Sequence, residues 1–345
     1  MSLHAVHETT LQQASKGLRA KDYPALALAV GTLAKQVETK PGVLTPLIFF
    51  AERLGASPDF VYQSIEALRR AATVAPQESD NEKQATRLFV RRTDSLGAPI
   101  IRATVYLNAV SQTVENTPFR QTALDGLIRQ VKALPEEEAS IGATLLAGAA
   151  LLAPRDSEQE QKAYTNLKER ALMMEPHDRL NLFFKSALLS PRSSLIEKQF
   201  VDNFTRETNA LAHSFESLVV FYEAAGQAAP RTYLKEQSLL GMKRHTDDLQ
   251  RTDRLHAILK AASLADTDTT TERQIIKDFF ECVEEVLPEN EASARIAQVS
   301  RRPHLNKALA REAALWVKQN SEEPEPLLPA PEGSKKAAAL AQTLE

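Results

Sequence analysis

Side chains able to bind a metal or move a proton are densest in one stretch, His245-Thr-Asp247-Asp248-Leu-Gln-Arg-Thr-Asp253-Arg-Leu-His256. Asp253 and His256 are three residues apart, so on a helix they share a face. With His245 and Asp248 just upstream, the four would suit a divalent cation or a magnesium-bound diphosphate. The competing reading is a capped helix start, with Thr246 or Asp247 as the cap, Asp248 against the helix dipole and the remaining charges solvated. His177-Asp178 and the pair His213 and Glu216 are weaker signals of the same kind, each without companion ligands at metal-binding spacing. Phosphate-loop, dinucleotide-binding, HExxH, GxSxG and EF-hand patterns do not occur. No cofactor is implied.

A second polar set recurs along the chain. Leu134-Pro-Glu-Glu-Glu-Ala-Ser140 is echoed 153 residues later by Leu287-Pro-Glu-Asn-Glu-Ala-Ser293. At that offset Arg91 and Asp94 lie over Arg244 and Asp247, while Arg120 and Asp125 lie over Arg273 and Asp278. Between Gln84 and Ser140, 16 of 57 positions are identical to those 153 further on, against roughly four expected from composition. The apolar residues after Thr117 do not obey the offset. Ala123, Leu124, Leu127, Ile128 and Val131 match Ile275, Ile276, Phe279, Phe280 and Val283 only at 152. Arginine forms bidentate pairs with carboxylates. The duplicated set therefore reads either as structural ion pairs or as a partner or ligand groove lined twice by arginine.

Two resemblances stop short of a family. The DDxxxxD spacing of Asp247, Asp248 and Asp253 resembles the first aspartate-rich motif of prenyl-diphosphate synthases, but no second such motif follows. Lys21-Asp-Tyr-Pro24 looks like the turn of a tetratricopeptide-like hairpin, but the 34-residue consensus of that family does not recur.

Composition narrows the elements that must position these residues. Glycine is scarce, at 11 of 345 residues, and aromatics make up 6%, which favours helix over turns and strands. The net charge is −3 and no segment is strongly basic, so general nucleic-acid binding is not expected. Cys282 is the single cysteine, which excludes an intrachain disulfide and a CxxC site. The longest uncharged run, Ala139 to Pro154, has 16 residues, short of the roughly 20 that span a bilayer. It reads as a buried core helix. With no basic, apolar leader at the N-terminus, the expectation is a soluble, cytoplasmic protein.

Prolines at 24, 41, 58, 76, 99, 118, 135, 154, 176 and 191 set a rhythm of one helix and one turn each. The expected fold is all-α, with about 15–17 helices in antiparallel hairpins. It divides into two related halves, 1–155 and 156–320, stacked as a solenoid or as pseudo-symmetric bundles. An acidic, proline-rich tail, 321–345, follows. The helix over 141–153 is apolar on nearly every face and is expected to be central, between the halves. The functional expectation is a non-enzymatic adaptor or scaffold with a protein partner. The alternatives are a metal-dependent helical enzyme near His245–His256 and a binder of a small apolar ligand in the helical interior. The sequence does not set the oligomeric state.

Overall fold

A computed structural model of the chain describes residues 3–302 and 306–320; the expected tail, 321–345, lies outside the described residues. Every described element is helical. The helices are α1 (Leu3–Ala20), α2 (Tyr23–Gln36), α3 (Leu44–Leu54), α4 (Val61–Val74), α5 (Asp80–Asp94), α6 (Pro99–Ser111), α7 (Pro118–Lys132), α8 (Ala139–Leu152) and α9 (Glu158–Ala171). They continue as α10 (Pro176–Leu189), α11 (Leu195–Asn209), α12 (Ser214–Gln227), α13 (Tyr233–Thr246), α14 (Arg251–Leu264), α15 (Thr270–Val286), α16 (Glu289–Ser300) and α17 (Lys307–Asn320). None is long and apolar enough to cross a membrane.

The chain forms two compact units that part between Glu207 and Thr208. The boundary expected at 155/156 falls instead between α8 and α9, which pack closely against each other inside the first unit. In that unit α3, α5, α7 and α9 lie side by side, and α6, α8 and α10 form a second layer against them. In the second unit the hairpins α12–α13, α14–α15 and α16–α17 follow the same scheme, with α12 beside α14 and α13 beside α15.

The repeating element is the corner that leads into each odd-numbered helix from α5 onward. Ser79, Thr117, Ser157, Ser194, Thr232 and Thr269 each accept a hydrogen bond from the backbone N–H three residues on, at 3.0–3.3 Å. Asn306 does the same for Leu309 at 2.8 Å. These caps recur every 37–40 residues. Before each of the first six stands a residue with φ between 57° and 64°: Glu78, Asn116, Asp156, Ser193, Arg231 and Asp268. Where the third residue after the cap is glutamate, its carboxylate reaches back to the N–H of that left-handed residue. Glu160 binds Asp156 at 3.1 Å, Glu197 binds Ser193 at 2.5 Å, Glu272 binds Asp268 at 2.7 Å, and Glu82 binds Glu78. All four glutamates are buried. The arrangement is a capping box extended by one residue.

The short period accounts for the offset of 153 without a two-half duplication. Leu134 and Leu287 are separated by four repeats, marked between them by Met174, Leu211 and Leu249 at the same even-helix entrance. The caps Thr117 and Thr269 are 152 apart, whereas Ser79 and Thr232 are 153 apart. The one-residue slip in the apolar pattern is therefore the true register of α7 on α15. The seven-residue echo does not fold identically either. Glu136–Glu138 make a 3-10 turn before α8, while α16 begins at Glu289.

The 141–153 segment is not between two halves; it lies in α8, inside the first unit. Its small residues allow close approach. A Cβ at Gly142 would lie 3.2 Å from Val131 Cγ1, and Ala143, Leu146 and Ala149 are fully buried. One outward side chain, Ile141, is 46% exposed.

Two measurements check the corner. Glu160→Ala is expected to lower unfolding free energy by about 1 kcal/mol in denaturant titrations, because Asp156 N–H loses its acceptor. Glu160→Gln retains an acceptor and is expected to stay within about 0.5 kcal/mol; equal losses in the two variants would refute the reach-back bond. Tyr164 supplies a pH signature. Burial lifts its phenol to about 12. The unfolded phenol ionises near 10, so the unfolded chain releases this proton first and stability falls as pH rises from about 10 towards 12. Absorbance titration should show a tyrosine class that ionises late and together with unfolding.

Candidate functional site

The duplicated polar residues occupy unlike environments. Arg120 is buried; its guanidinium donates to Thr113 O at 2.8 Å and to Leu152 O. It ties the C-terminal ends of α6 and α8 to the start of α7. Arg273, its expected counterpart, is exposed. The structural equivalent of Arg120 is Glu272, since both stand three residues after a cap. Asp125 is exposed on α7, whereas Asp278 on α15 is partly buried and accepts from Lys243 at 3.1 Å. No shared arginine-lined groove is formed by these four.

The other four divide in the same way. Asp94 is the centre of a knot, accepting from Tyr106 Oη at 2.9 Å, Arg129 at 2.7 Å and Gln130 at 3.0 Å. Burial and the adjacent Asp94 carboxylate push the Tyr106 phenol far above its usual range. Arg91 pairs with Glu52 at 2.9 Å. Arg244 is exposed, and Asp247 caps the end of α13 and meets Arg254 at 3.2 Å. The register that aligns Arg91 with Arg244 and Asp94 with Asp247 is real, yet the partners are not equivalent.

The candidate metal ligands are spread over separate contacts. His245 Nε2 lies 3.0 Å from Asn209 Oδ1, and its ring stacks on Phe221 at 5.9 Å. Asp248 accepts from Ser214 Oγ at 2.7 Å. Asp253 and His256 share the outer face of α14, as their spacing predicts, and both are exposed. Among the described residues no group of three or more His, Cys, Asp or Glu could hold a metal ion. Cys282 is buried, and that burial raises its thiol.

One functional position was not legible from the heptapeptide. Thirteen residues after four of the caps, at Arg92, Gln130, Arg170 and His245, a side chain reaches back to the preceding repeat. Arg92 donates to Glu52 O at 2.8 Å, Gln130 to Asp94, and His245 contacts Asn209. Arg170 goes furthest, donating to the carbonyls of Val131, Lys132, Leu134 and Pro135 at 2.6–3.3 Å. Those carbonyls lie at the end of α7 and just beyond it, where intrahelical partners run out, and a guanidinium engages several at once. The Leu134-Pro135 start of the echo is therefore half of an inter-repeat clamp.

A surface feature sets α6 and α8 apart from α4, α10, α12 and α14. On α6 the outward positions Ile101, Thr104 and Asn108 carry no charge, nor do Ile141, Thr144 and Gly148 on the neighbouring α8. Ile101 and Ile141 are 41% and 46% exposed. The same places hold Glu66 and Arg70 on α4, Asp178 and Lys185 on α10, Glu216 and Glu223 on α12, and Asp253, His256 and Lys260 on α14.

The unlike fates of the two arginines can be measured. Arg120→Met should cost about 1–3 kcal/mol of stability, since it removes charged donors from buried carbonyls. Arg273→Ala should change stability by less than about 0.5 kcal/mol. Equal effects in chemical denaturation would show that the two arginines hold equivalent structural places after all.

No protein-family model matches the chain, and no curated protein matches it. Among solved structures it is similar to one described as the computational design of self-assembling cyclic protein homo-oligomers. The match has 13% identity over 92% of this chain and 96% of that one, with a TM-score of 0.14. A likeness at that score carries no argument about fold or function.

Proposed function

We propose that the chain is a non-enzymatic interaction protein, an adaptor or scaffold that presents a stacked-helix surface to a protein partner. The observation that carries the reading is the uncharged outer face shared by α6 and α8, with Ile101 and Ile141 exposed at equivalent positions. Charged side chains stand at the corresponding places of α4, α10, α12 and α14, so this patch departs from the solvated face of those four helices. Exposed apolar area flanked by polar residues is a common mark of a protein–protein contact. Gly148 adds relief, since nothing projects from α8 beside Leu107, whose Cδ1 lies 3.4 Å from where a Cβ would stand.

The test is paired capture from cells that produce the protein, using wild type and the double variant Ile101→Glu, Ile141→Glu. Both sites are on the surface, so unchanged thermal unfolding is expected for the variant. A partner held by wild type should lose at least about tenfold in affinity, from desolvation of two carboxylates in an apolar contact. If the variant retains every partner that the wild type holds, this patch is not the docking surface.

A further inference from the structure

We infer that the opposite layer of the first unit carries a second docking surface, built on α5, that takes an acidic peptide segment bearing an apolar side chain. The inference extends the interaction-protein reading to another face and to a stated partner chemistry. Lys83, Arg87 and Arg91 are spaced four residues apart on α5 and form one exposed row. Arg91 is neutralised by Glu52 at 2.9 Å. Lys83 and Arg87 form no ion pair among the described residues.

The row has apolar surface on both sides. Between α5 and α7 runs a groove of about 540 Å³, walled by Val90, Pro118 and Thr122, with Lys83 and Arg87 on its rim. Glu78 and Glu82 line the same groove. Glu82 is buried, and its carboxylate is engaged by the N–H of Glu78. On the other side, α3 is tied to α5 by Thr45–Asn81 at 3.3 Å and by Glu52–Arg91. Between those ties Phe49 is 44% exposed, with the Arg53 guanidinium 5.5 Å from its ring centre.

Three cations without a paired carboxylate (Arg53, Lys83 and Arg87) thus alternate with an exposed ring and an apolar groove. Carboxylates of a bound segment would meet the row, and an apolar side chain would enter the groove or cover Phe49. A nucleic acid fits less well, because the basic surface is short and Glu78 stands at the groove.

The test uses the full chain and a fluorescent probe peptide of alternating Glu-Glu and Leu-Leu pairs, followed by anisotropy. Wild type should bind the probe. Binding should weaken with added salt, and Lys83→Glu with Arg87→Glu should reduce it by roughly tenfold or more. The glutamine version of the probe should bind equally poorly to both proteins. Unchanged affinity in the charge-reversed protein, equal binding of the glutamine probe, or tighter binding of a single-stranded oligonucleotide would each overturn the inference. Loss of this binding site leaves capture through Ile101 and Ile141 intact, so failure here and failure of the α6–α8 reading are separable.

Discussion

A left-handed residue other than glycine costs roughly 1 kcal/mol or more, and the chain adopts one at every corner from Glu78 to Asp268. The N–H of such a residue still needs a hydrogen-bond acceptor. In four corners the acceptor is the buried glutamate three residues after the cap. In the corner at Arg231 the third residue is Lys235, and the next corner supplies Asp266 instead. Asp266 accepts from Arg231 N–H at 2.6 Å and pairs with Lys235 at 3.2 Å. In these five corners the requirement stays fixed while the residue that meets it changes. Corner geometry then dictates the direction of each odd helix, and with it the two layers within each unit.

The corners are also where one repeat is bonded to the next. Arg155 donates to Ser193 O at 2.7 Å, one corner further on. Asn306, itself a cap, donates to Glu272 at 2.8 Å and to Ala262 O at 3.0 Å. At the other end of the odd helices the clamp by Arg92 and Arg170 performs the same service. Apolar burial between layers is non-directional and would tolerate sliding. Hydrogen bonds from fixed positions to main-chain carbonyls do not. Register between repeats is thus held at two ends by polar contacts and filled in between by Phe89, Leu127, Leu167, Phe204, Met242 and Phe279, each ten residues after a cap and fully buried.

Helix content, helix number and most boundaries were legible because prolines and apolar spacing act within one helix. The repeat length was legible only in disguise. Ser79-x-x-Glu82, Ser157-x-x-Glu160, Ser194-x-x-Glu197 and Thr269-x-x-Glu272 announce the period in the sequence. Arg120 and Lys235 break the pattern at the other two corners, and repeats of 37–40 residues defeat a gapless comparison. Four unequal repeats sum to 153 in one register and 152 in the next, so identity surfaced as a long echo. Left-handed corners were hidden for a related reason. Glycine is the usual marker of positive φ, and here the positions carry Glu, Asn, Asp, Ser, Arg and Asp. The site residues were hardest to read, because spacing places Arg120 and Arg273 in a sequence but not in a packing environment.

Positions in this chain separate by the distance over which they must act. Those at the cap and three residues after it bind main-chain groups of their own corner, and Arg92, Gln130, Arg170 and His245 bind atoms of the preceding repeat, so their geometry is constrained by the repeat itself. The outward positions of even helices bind nothing in the stack and need only remain compatible with water. Charge is the common solution there, from Glu66 to Lys260. An uncharged pair of neighbouring helices relinquishes that solvation without adding anything to the interior, because Ile101 and Ile141 point outward. Internal packing does not account for those side chains, and a covering surface is what the proposed docking face would supply. The same reasoning applies to the residues first singled out for chemistry. Asp253 and His256 occupy outward positions of α14, where a polar pair is the ordinary state and requires no ligand to explain it.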